Sequence, residues 1–249
     1  MIGVIGYGMV GKAVVNGFAN TDRLFSDPQY NDMSVEYIVS KNPDAIFVCV
    51  PTPTDDSDYS ILRGVLQQIK DAKYTGITVV KSTVLPQYIE DFDVLYNPEF
   101  LSRATSFDDF VNPPLLLIGG DEAKAKELLQ IYKRGSTVMT DNVFITDIKT
   151  AALTKYTMNS FYATKIAFMN QMYDVAQKVG VDWNEMIPIL KAQPWMGTHH
   201  FDVPGPDGSR GFGGPCLPKD TAALVKNYDL ELLKTVLVIN EDYRSDSSS

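Results

Sequence analysis

The sequence predicts an α/β fold: a Rossmann-type doubly wound parallel sheet followed by a long central helix and a small all-α domain. Three observations carry that expectation. Up to about residue 146, short continuous Val/Ile/Leu runs alternate with helical stretches, the pattern of a parallel sheet covered on both faces. A glycine motif, GYGMVG, follows the first of those runs. From Ile148 to Val179 there is neither proline nor glycine, and apolar residues recur at helical spacing. Residues 1–146 therefore read as a dinucleotide-binding domain and 147–249 as a helical domain.

In chain order, the expected strands are Ile2 to Ile5, Arg23 to Ser26, Ala45 to Val50, Ile77 to Lys81, Val94 to Tyr96, Leu115 to Ile118, Thr137 to Met139 and Val143 to Ile145. Helices are expected between them at Val10 to Ala19, Val35 to Ser40, Ile61 to Ala72 and Glu122 to Lys133. The long helix ends at Gly180, a C-terminal stop. A helix that long, apolar on more than one face, suits a connection between domains or the seam of a homodimer. Asn184 to Gln193 follows, then a Pro/Gly-rich loop from Pro194 to Pro215, then helices over Lys219 to Tyr228 and Leu230 to Asp242. The final SDSSS reads as a frayed low-complexity end.

Composition limits the function. The chain has 249 residues, 45% hydrophobic and 21% charged, which is ordinary globular composition with room for a real core. A net charge of −9 argues against nucleic acid or an anionic membrane as partner, because phosphate backbones demand a basic face. Two cysteines, no signal peptide and no apolar run of roughly eighteen residues point to the reducing cytoplasm. No metal site is expected.

GYGMVG lies between a strand and a helix, the setting that gives GxGxxG its mechanism. Gly6 permits the tight turn, Gly8 lets a pyrophosphate approach the backbone, and Gly11 lets the helix pack on the sheet, with Tyr7, Met9 and Val10 between them. Asp27 ends the second strand, where a carboxylate accepts from the adenosine ribose hydroxyls, so NAD is expected rather than NADP. Polar or proline-rich loops close three further strands: CVPTPT at 49 to 54, KSTV at 81 to 84 and NPEF at 97 to 100. Val50, Pro51, Thr52, Ser82 and Thr83 are accordingly candidate cofactor contacts. Cys49, inside IFVCV, reads as core packing.

Cys216 sits in GFGGPCLPKD between a glycine-rich arm and an expected helix start, beside Lys219. A thiolate is stabilised in that setting, as a nucleophile requires; a buried loop cysteine fits the stretch equally well. Lys155 and Asn159 are spaced i, i+4 on the long helix and suit an oxyanion stabiliser, or a solvated surface pair. A dinucleotide domain with a loop thiol suggests hydride transfer coupled to covalent catalysis.

Taken in order, GYGMVG, VPTPT, KSTV, NPEF, NPPLLLIGG, LTKYTMNSFYATKIAFMN and VPGPDGSRGFGGPCLPKD resemble the UDP-glucose/GDP-mannose dehydrogenases over nearly the whole sequence, the last two segments most specifically. The resemblance implies a two-step, NAD-dependent oxidation of a nucleotide sugar at C6, UDP-glucose to UDP-glucuronate, with GDP-mannose or a UDP-N-acetylhexosamine as the alternative substrate. It implies that Cys216 is the nucleophile and that Lys155 and Asn159 stabilise the oxyanion. It makes Asp220 and Thr83 the holders of water and Glu99 the acid/base carboxylate. It also sets Lys219 near the nicotinamide, and Phe100, Leu101, Gly211, Phe212 and Gly213 against the sugar.

The sequence departs from the family at four places. Arg103 replaces a carboxylate usually found four residues after the NPEF glutamate. Trp195-Met196-Gly197 stands where an Arg-Ile-Gly element commonly reaches a neighbouring subunit. The stretch from Asp27 to Ala45 is short, and the sequence stops before the family's second nucleotide-binding domain. These departures leave a non-catalytic nucleotide-binding subunit as the other reading.

Overall fold

The computed structural model describes residues 1–53 and 58–246; Thr54 of the CVPTPT turn and the last three serines lie outside them. The chain forms two compact units, Met1–Pro53 with Asp58–Lys155, and the residues from Tyr156 onward.

The first unit runs β1 (Ile2–Ile5), α1 (Met9–Gly17), β2 (Arg23–Ser26), α2 (Val35–Ser40), β3 (Ala45–Val48), α3 (Ser60–Asp71), β4 (Ile77–Val80), β5 (Leu95–Tyr96), α4 (Ser106–Val111), β6 (Leu116–Gly119), α5 (Glu122–Gly135) and β7 (Val143–Thr146). The strands form a doubly wound sheet in the order β2-β1-β3-β4-β5-β6-β7. Neighbours are parallel except β5 and β6, which pair antiparallel through Tyr96 and Gly119. Side chains of successive strand residues point to opposite faces, and the two faces have separate cores. Ile46, Val48 and Val80 pack with Ile38 of α2 and Leu62, Leu66 and Ile69 of α3. Ile2, Val4, Ala45, Phe47, Ile77 and Val79 pack with Val14 and Phe18 on the α1 side and with Leu128, Ile131 and Tyr132 of α5. Continuous apolar runs were the right signal because both faces are covered.

Two elements differ from expectation. Thr137 to Met139 is not a strand: the Thr137 amide donates to Gly17 O at 2.8 Å and the Met139 amide to Val111 O at 2.7 Å. Carbonyls at the ends of α1 and α4 thus satisfy backbone groups that a ladder would otherwise take. The short helix α4 went unpredicted. Thr105 Oγ1 donates to Asp109 Oδ2 at 2.8 Å at its start, Phe110 anchors it in the core, and Pro113 follows its end.

Helix α6 (Ile148–Val179) is continuous over 32 residues. Asp147 begins it by accepting from the Thr150 amide at 2.9 Å and the Thr150 hydroxyl at 2.7 Å. Gly180 follows its end at φ +77°, a left-handed position suited to glycine. The second unit contains the rest of α6 with α7 (Trp183–Ala192), α8 (Leu217–Asn227) and α9 (Glu231–Asp246). α9 continues four residues beyond its expected end, into the serine-rich stretch. One cluster joins Met169, Ala176, Trp183, Phe201 and Val203; another joins Ala163, Ala167, Phe212 and Val236.

Candidate active site

In the first unit, the turn from β1 to α1 shows which glycines the protein needs for itself. Gly6 has φ +91°, and a Cβ there would lie 2.6 Å from Cys49 O. A Cβ on Gly11 would lie 1.9 Å from Gly6 O. Gly8 is different: a Cβ there would meet nothing within 4 Å. The protein's own packing leaves the space over Gly8 open, at the N-terminus of α1 where backbone N–H groups and the helix dipole favour an anion. The residues present therefore fit a dinucleotide pyrophosphate.

Asp27 follows β2 and accepts from the Tyr7 amide at 2.6 Å and the Gln29 amide at 2.9 Å. Each oxygen of a carboxylate has a second lone pair, so the group keeps capacity for ribose hydroxyls. Around it, Tyr7 stacks on Phe25 with centroids 3.9 Å apart, and Lys12 donates to the Tyr30 hydroxyl at 2.8 Å. Ser82 Oγ donates to Val50 O at 2.6 Å, tying the loop after β4 to the one after β3. Pro51 is exposed and Thr52 and Thr83 are half-buried beside them.

Lys155 and Glu99 meet in the same unit, and both are buried. The ammonium donates to Glu99 O at 2.7 Å and lies 3.5 Å from Oε1, while Oε2 accepts from the Leu101 amide at 2.6 Å. Phe100 presents its ring 5.0 Å from the same ammonium. Sequence spacing linked Lys155 with Asn159; the structure gives Lys155 to Glu99 instead.

Sequence reasoning missed Lys81 and Asn97. Buried Lys81 donates to both Asn97 O and Asn97 Oδ1 at 3.0 Å, and Asn97 in turn donates to Leu117 O at 2.7 Å and accepts from Tyr132 at 2.8 Å. Burial pushes the Lys81 ammonium down to about 8. Lys81 stands two residues before Thr83 and Asn97 two before Glu99, so this pair joins the roots of both loops. A cavity of about 30 Å³ opens beside them, lined in part by Lys81, Glu99, Phe110 and Tyr132. The signal lay inside KSTV and NPEF, whose first residues went unassigned. Cys49, half-buried at the edge of the core, has its thiol pushed up to about 12 by burial.

In the second unit, Asn159 donates to Asp220 Oδ2 at 2.5 Å. Asp220 is fully buried; its Oδ1 lies 2.6 Å from Lys219 Nζ, yet no aligned hydrogen bond reaches that oxygen. Cys216 is the N-cap of α8, half-buried, and its carbonyl accepts from the Asp220 amide at 2.8 Å. Thiol and carboxylate are therefore one helical turn apart, with the thiol where the helix dipole favours an anion. The arm before the thiol carries Gly211 at φ +71° and Gly214 at φ +75°. Phe212 turns its side chain into the core, so only its backbone borders the loop surface. Trp195 is 96% exposed, and Arg103, in the first unit, is also exposed.

Among the described residues no helix is long and apolar enough to cross a membrane, and no His/Cys/Asp/Glu group could hold a metal ion.

Two family models cover most of the sequence. Residues 29–135 match the NAD binding domain of the UDP-glucose/GDP-mannose dehydrogenase family, and residues 149–242 match its central domain. The chain belongs to that family. UDP-glucose 6-dehydrogenase of Rickettsia bellii is 35% identical over 226 residues, covering 81% of this chain and 50% of that protein. GDP-mannose 6-dehydrogenase of Pseudomonas syringae pv. tomato is 31% identical, covering 73% and 45%. A UDP-glucose dehydrogenase structure from Pyrobaculum islandicum superposes with TM-score 0.81 at 27% identity, covering 97% of this chain and 68% of that one. The chain thus spans about half the length of the curated relatives it matches. Membership accounts for the Rossmann sheet and for NAD as cofactor.

Proposed function

We propose that this chain supplies the NAD-binding and thiol-bearing parts of a nucleotide-sugar 6-dehydrogenase that oxidises the C6 alcohol of UDP-glucose to the carboxylate of UDP-glucuronate. Residues 1–146 act as the cofactor domain and 147–249 as the helical domain. One observation carries the reading: Cys216 caps a helix one turn from the fully buried Asp220, in a chain with the family's NAD binding domain.

Bound NAD supplies the acceptor for the hydride in each of two oxidations. Gly6 to Gly11 and Asp27 would hold it, together with the loops at Val50 to Thr52 and Ser82 to Thr83, and Lys219 would serve its nicotinamide end. The backbone of Gly211 to Gly213 and the side chains of Phe100 and Leu101 border the sugar. After the first oxidation, Cys216 Sγ bonds to the C6 aldehyde carbon and the thiol proton ends on the aldehyde oxygen. Lys155 and Asn159 stabilise that oxygen while it carries negative charge. Loss of the second hydride, with the hydroxyl proton passing to solvent as the alcohol proton does in the first oxidation, leaves a thioester on Cys216. Water held by Asp220 and Thr83 attacks the thioester carbon with Glu99 as proton acceptor, the C–S bond breaks, and the thiol is restored.

GDP-mannose and UDP-N-acetylhexosamines form the second reading, favoured by the similarity to a GDP-mannose 6-dehydrogenase. Incubation with NAD and each nucleotide sugar separates them: the proposal expects two NADH per UDP-glucose consumed, whereas no NADH from any sugar would favour a non-catalytic subunit.

The chain works as a homodimer through α6 in this reading. Phe161, Phe168 and Val175 are exposed at seven-residue intervals along it, an apolar stripe suited to a second copy. A monomer by light scattering at micromolar concentration would overturn the dimer. Two unbridged cysteines and the acidic charge suit the cytoplasm and disfavour nucleic acid and membranes as partners.

A further inference from the structure

The segment before the thiol has neither helix nor strand from Gly197 to Cys216, yet part of it is buried. Its backbone must find partners elsewhere, and two asparagine side chains provide them. Asn240, on α9, is buried; its Oδ1 accepts from the Phe212 amide at 2.6 Å and its Nδ2 donates to Phe212 O at 3.0 Å. One carboxamide therefore pairs with both backbone groups of one residue, as a neighbouring strand would. Asn170, on α6 and 1% exposed, accepts the Gly211 amide at 3.1 Å. Its carbonyl also accepts from Arg210 at 3.0 Å, and Arg210 pairs with Asp174 at 2.7 Å. The fit at Gly211 is close: a Cβ there would lie 2.5 Å from Asn240 Oδ1, and φ is in the left-handed region. One turn beyond Asn240, Arg244 pairs with Asp207 at 2.7 Å, and both groups crowd Gly213.

The hydrogen bonds of Asn240 run to Phe212, and those of Asn170 to Gly211, Arg210 and its own helix. Each follows an apolar run, AFM before Asn170 and VLVI before Asn240, and a buried amide is unfavourable unless its hydrogen bonds are made. What they bond is the arm that leads, four residues after Phe212, to Cys216.

We propose that Asn240, assisted by Asn170, is a positioning residue: its two-point grip on Phe212 fixes the Gly211–Gly213 arm and thereby the presentation of the Cys216 thiol. The proposal rests on the assignment of Cys216 as the reactive group. Asn240→Asp is the discriminating change, because it preserves shape and the acceptor for the Phe212 amide but turns the donor into a carboxylate oxygen facing Phe212 O. Acidification protonates that oxygen and restores a donor.

The test is the rate at which N-ethylmaleimide labels Cys216 in the intact protein, read by peptide mass spectrometry and expressed as variant over wild type at each pH. At pH 8, Asn240→Asp should label at least fivefold faster, because the released arm uncovers a half-buried thiol. By about pH 5 the ratio should fall to within twofold of one, because burial beside the Phe212 carbonyl raises an aspartate at this position enough to protonate it there, a recovery that loss of packing alone does not produce. Gly211→Ala, which forces the arm from the other side, should also label at least fivefold faster, and stands in if Asn240→Asp fails to give a cooperative melt. A ratio near one at pH 8 in a variant that melts cooperatively overturns the proposal, as does a raised ratio that does not fall with pH. Labelling of Cys216 no faster than Cys49 in the wild type would overturn the nucleophile assignment instead, and the variant ratio would still decide the grip.

Discussion

Lys155 and Glu99 form a buried ion pair 56 residues apart in sequence, with the ammonium 2.7 Å from the Glu99 carbonyl and 3.5 Å from its carboxylate. The pair anchors the NPEF loop to the start of α6. Removing one partner of such a pair leaves the other charge buried and uncompensated, at a cost of about 3–5 kcal/mol. Lys155→Met should therefore lower the unfolding free energy by about 3 kcal/mol, measured by urea denaturation. Adding Glu99→Gln should recover part of the loss. Strict additivity of the two changes would mean that the groups do not interact.

The glycine turn gives a prediction that separates folding from binding. Gly11→Ala sets a Cβ 1.9 Å from Gly6 O and should destabilise the unit by several kcal/mol, roughly as overpacking does. Gly8→Ala meets nothing in the protein and has an ordinary φ of −73°, so its melting temperature should stay within a few degrees of wild type. Its NAD affinity should fall at least about tenfold, in line with a lost close backbone approach to pyrophosphate. Unchanged NAD affinity in Gly8→Ala, by calorimetry, would remove the pyrophosphate from this turn.

Much of this was legible in the sequence, and the reason differs by element. α2 and α6 fall at their expected bounds, since α2 is capped by Ser34, whose side chain accepts from the Tyr37 amide, and α6 has the Asp147 cap and the Gly180 stop. The Thr137 to Met139 error came from β-prone residues whose hydrogen bonds go to helix ends, which local composition does not encode. The family resemblance singles out Cys216, Asp220 and Glu99 as candidates, but the contacts they make, Lys155 with Glu99 and Asn159 with Asp220, depend on long-range packing. Lys81, Asn170 and Asn240 were hidden for a related reason: a buried polar residue becomes informative only once the backbone it serves is known.

Lys81 gives the stability a pH dependence. Burial lowers its folded-state value to about 8 from the usual 10.5, so between those values the unfolded chain binds a proton that the folded chain does not. Stability contributed by this group therefore rises with pH above about 8, with a limiting slope of about 1.4 kcal/mol per unit. The raised Cys49 thiol acts in the opposite direction only above its own unfolded value of 9.0, which leaves pH 8 to 9 as the clean window. Over that window wild type should gain on the order of 1 kcal/mol relative to Lys81→Met in urea titrations. Parallel curves for the two proteins would show that Lys81 stays charged throughout.

Covalent catalysis by Cys216 is the central claim, and the yield of NADH per sugar tests it most directly. Wild-type protein with NAD and UDP-glucose should give two NADH for each sugar consumed. Cys216→Ala should still bind NAD, because Gly6 to Gly11 and Asp27 are untouched, while acid formation falls by several orders of magnitude, as loss of a nucleophile commonly causes. If Cys216→Ala formed two NADH per sugar at near the parental rate, the thioester route would be wrong and the GFGGPCLPKD segment would serve only to bind the sugar.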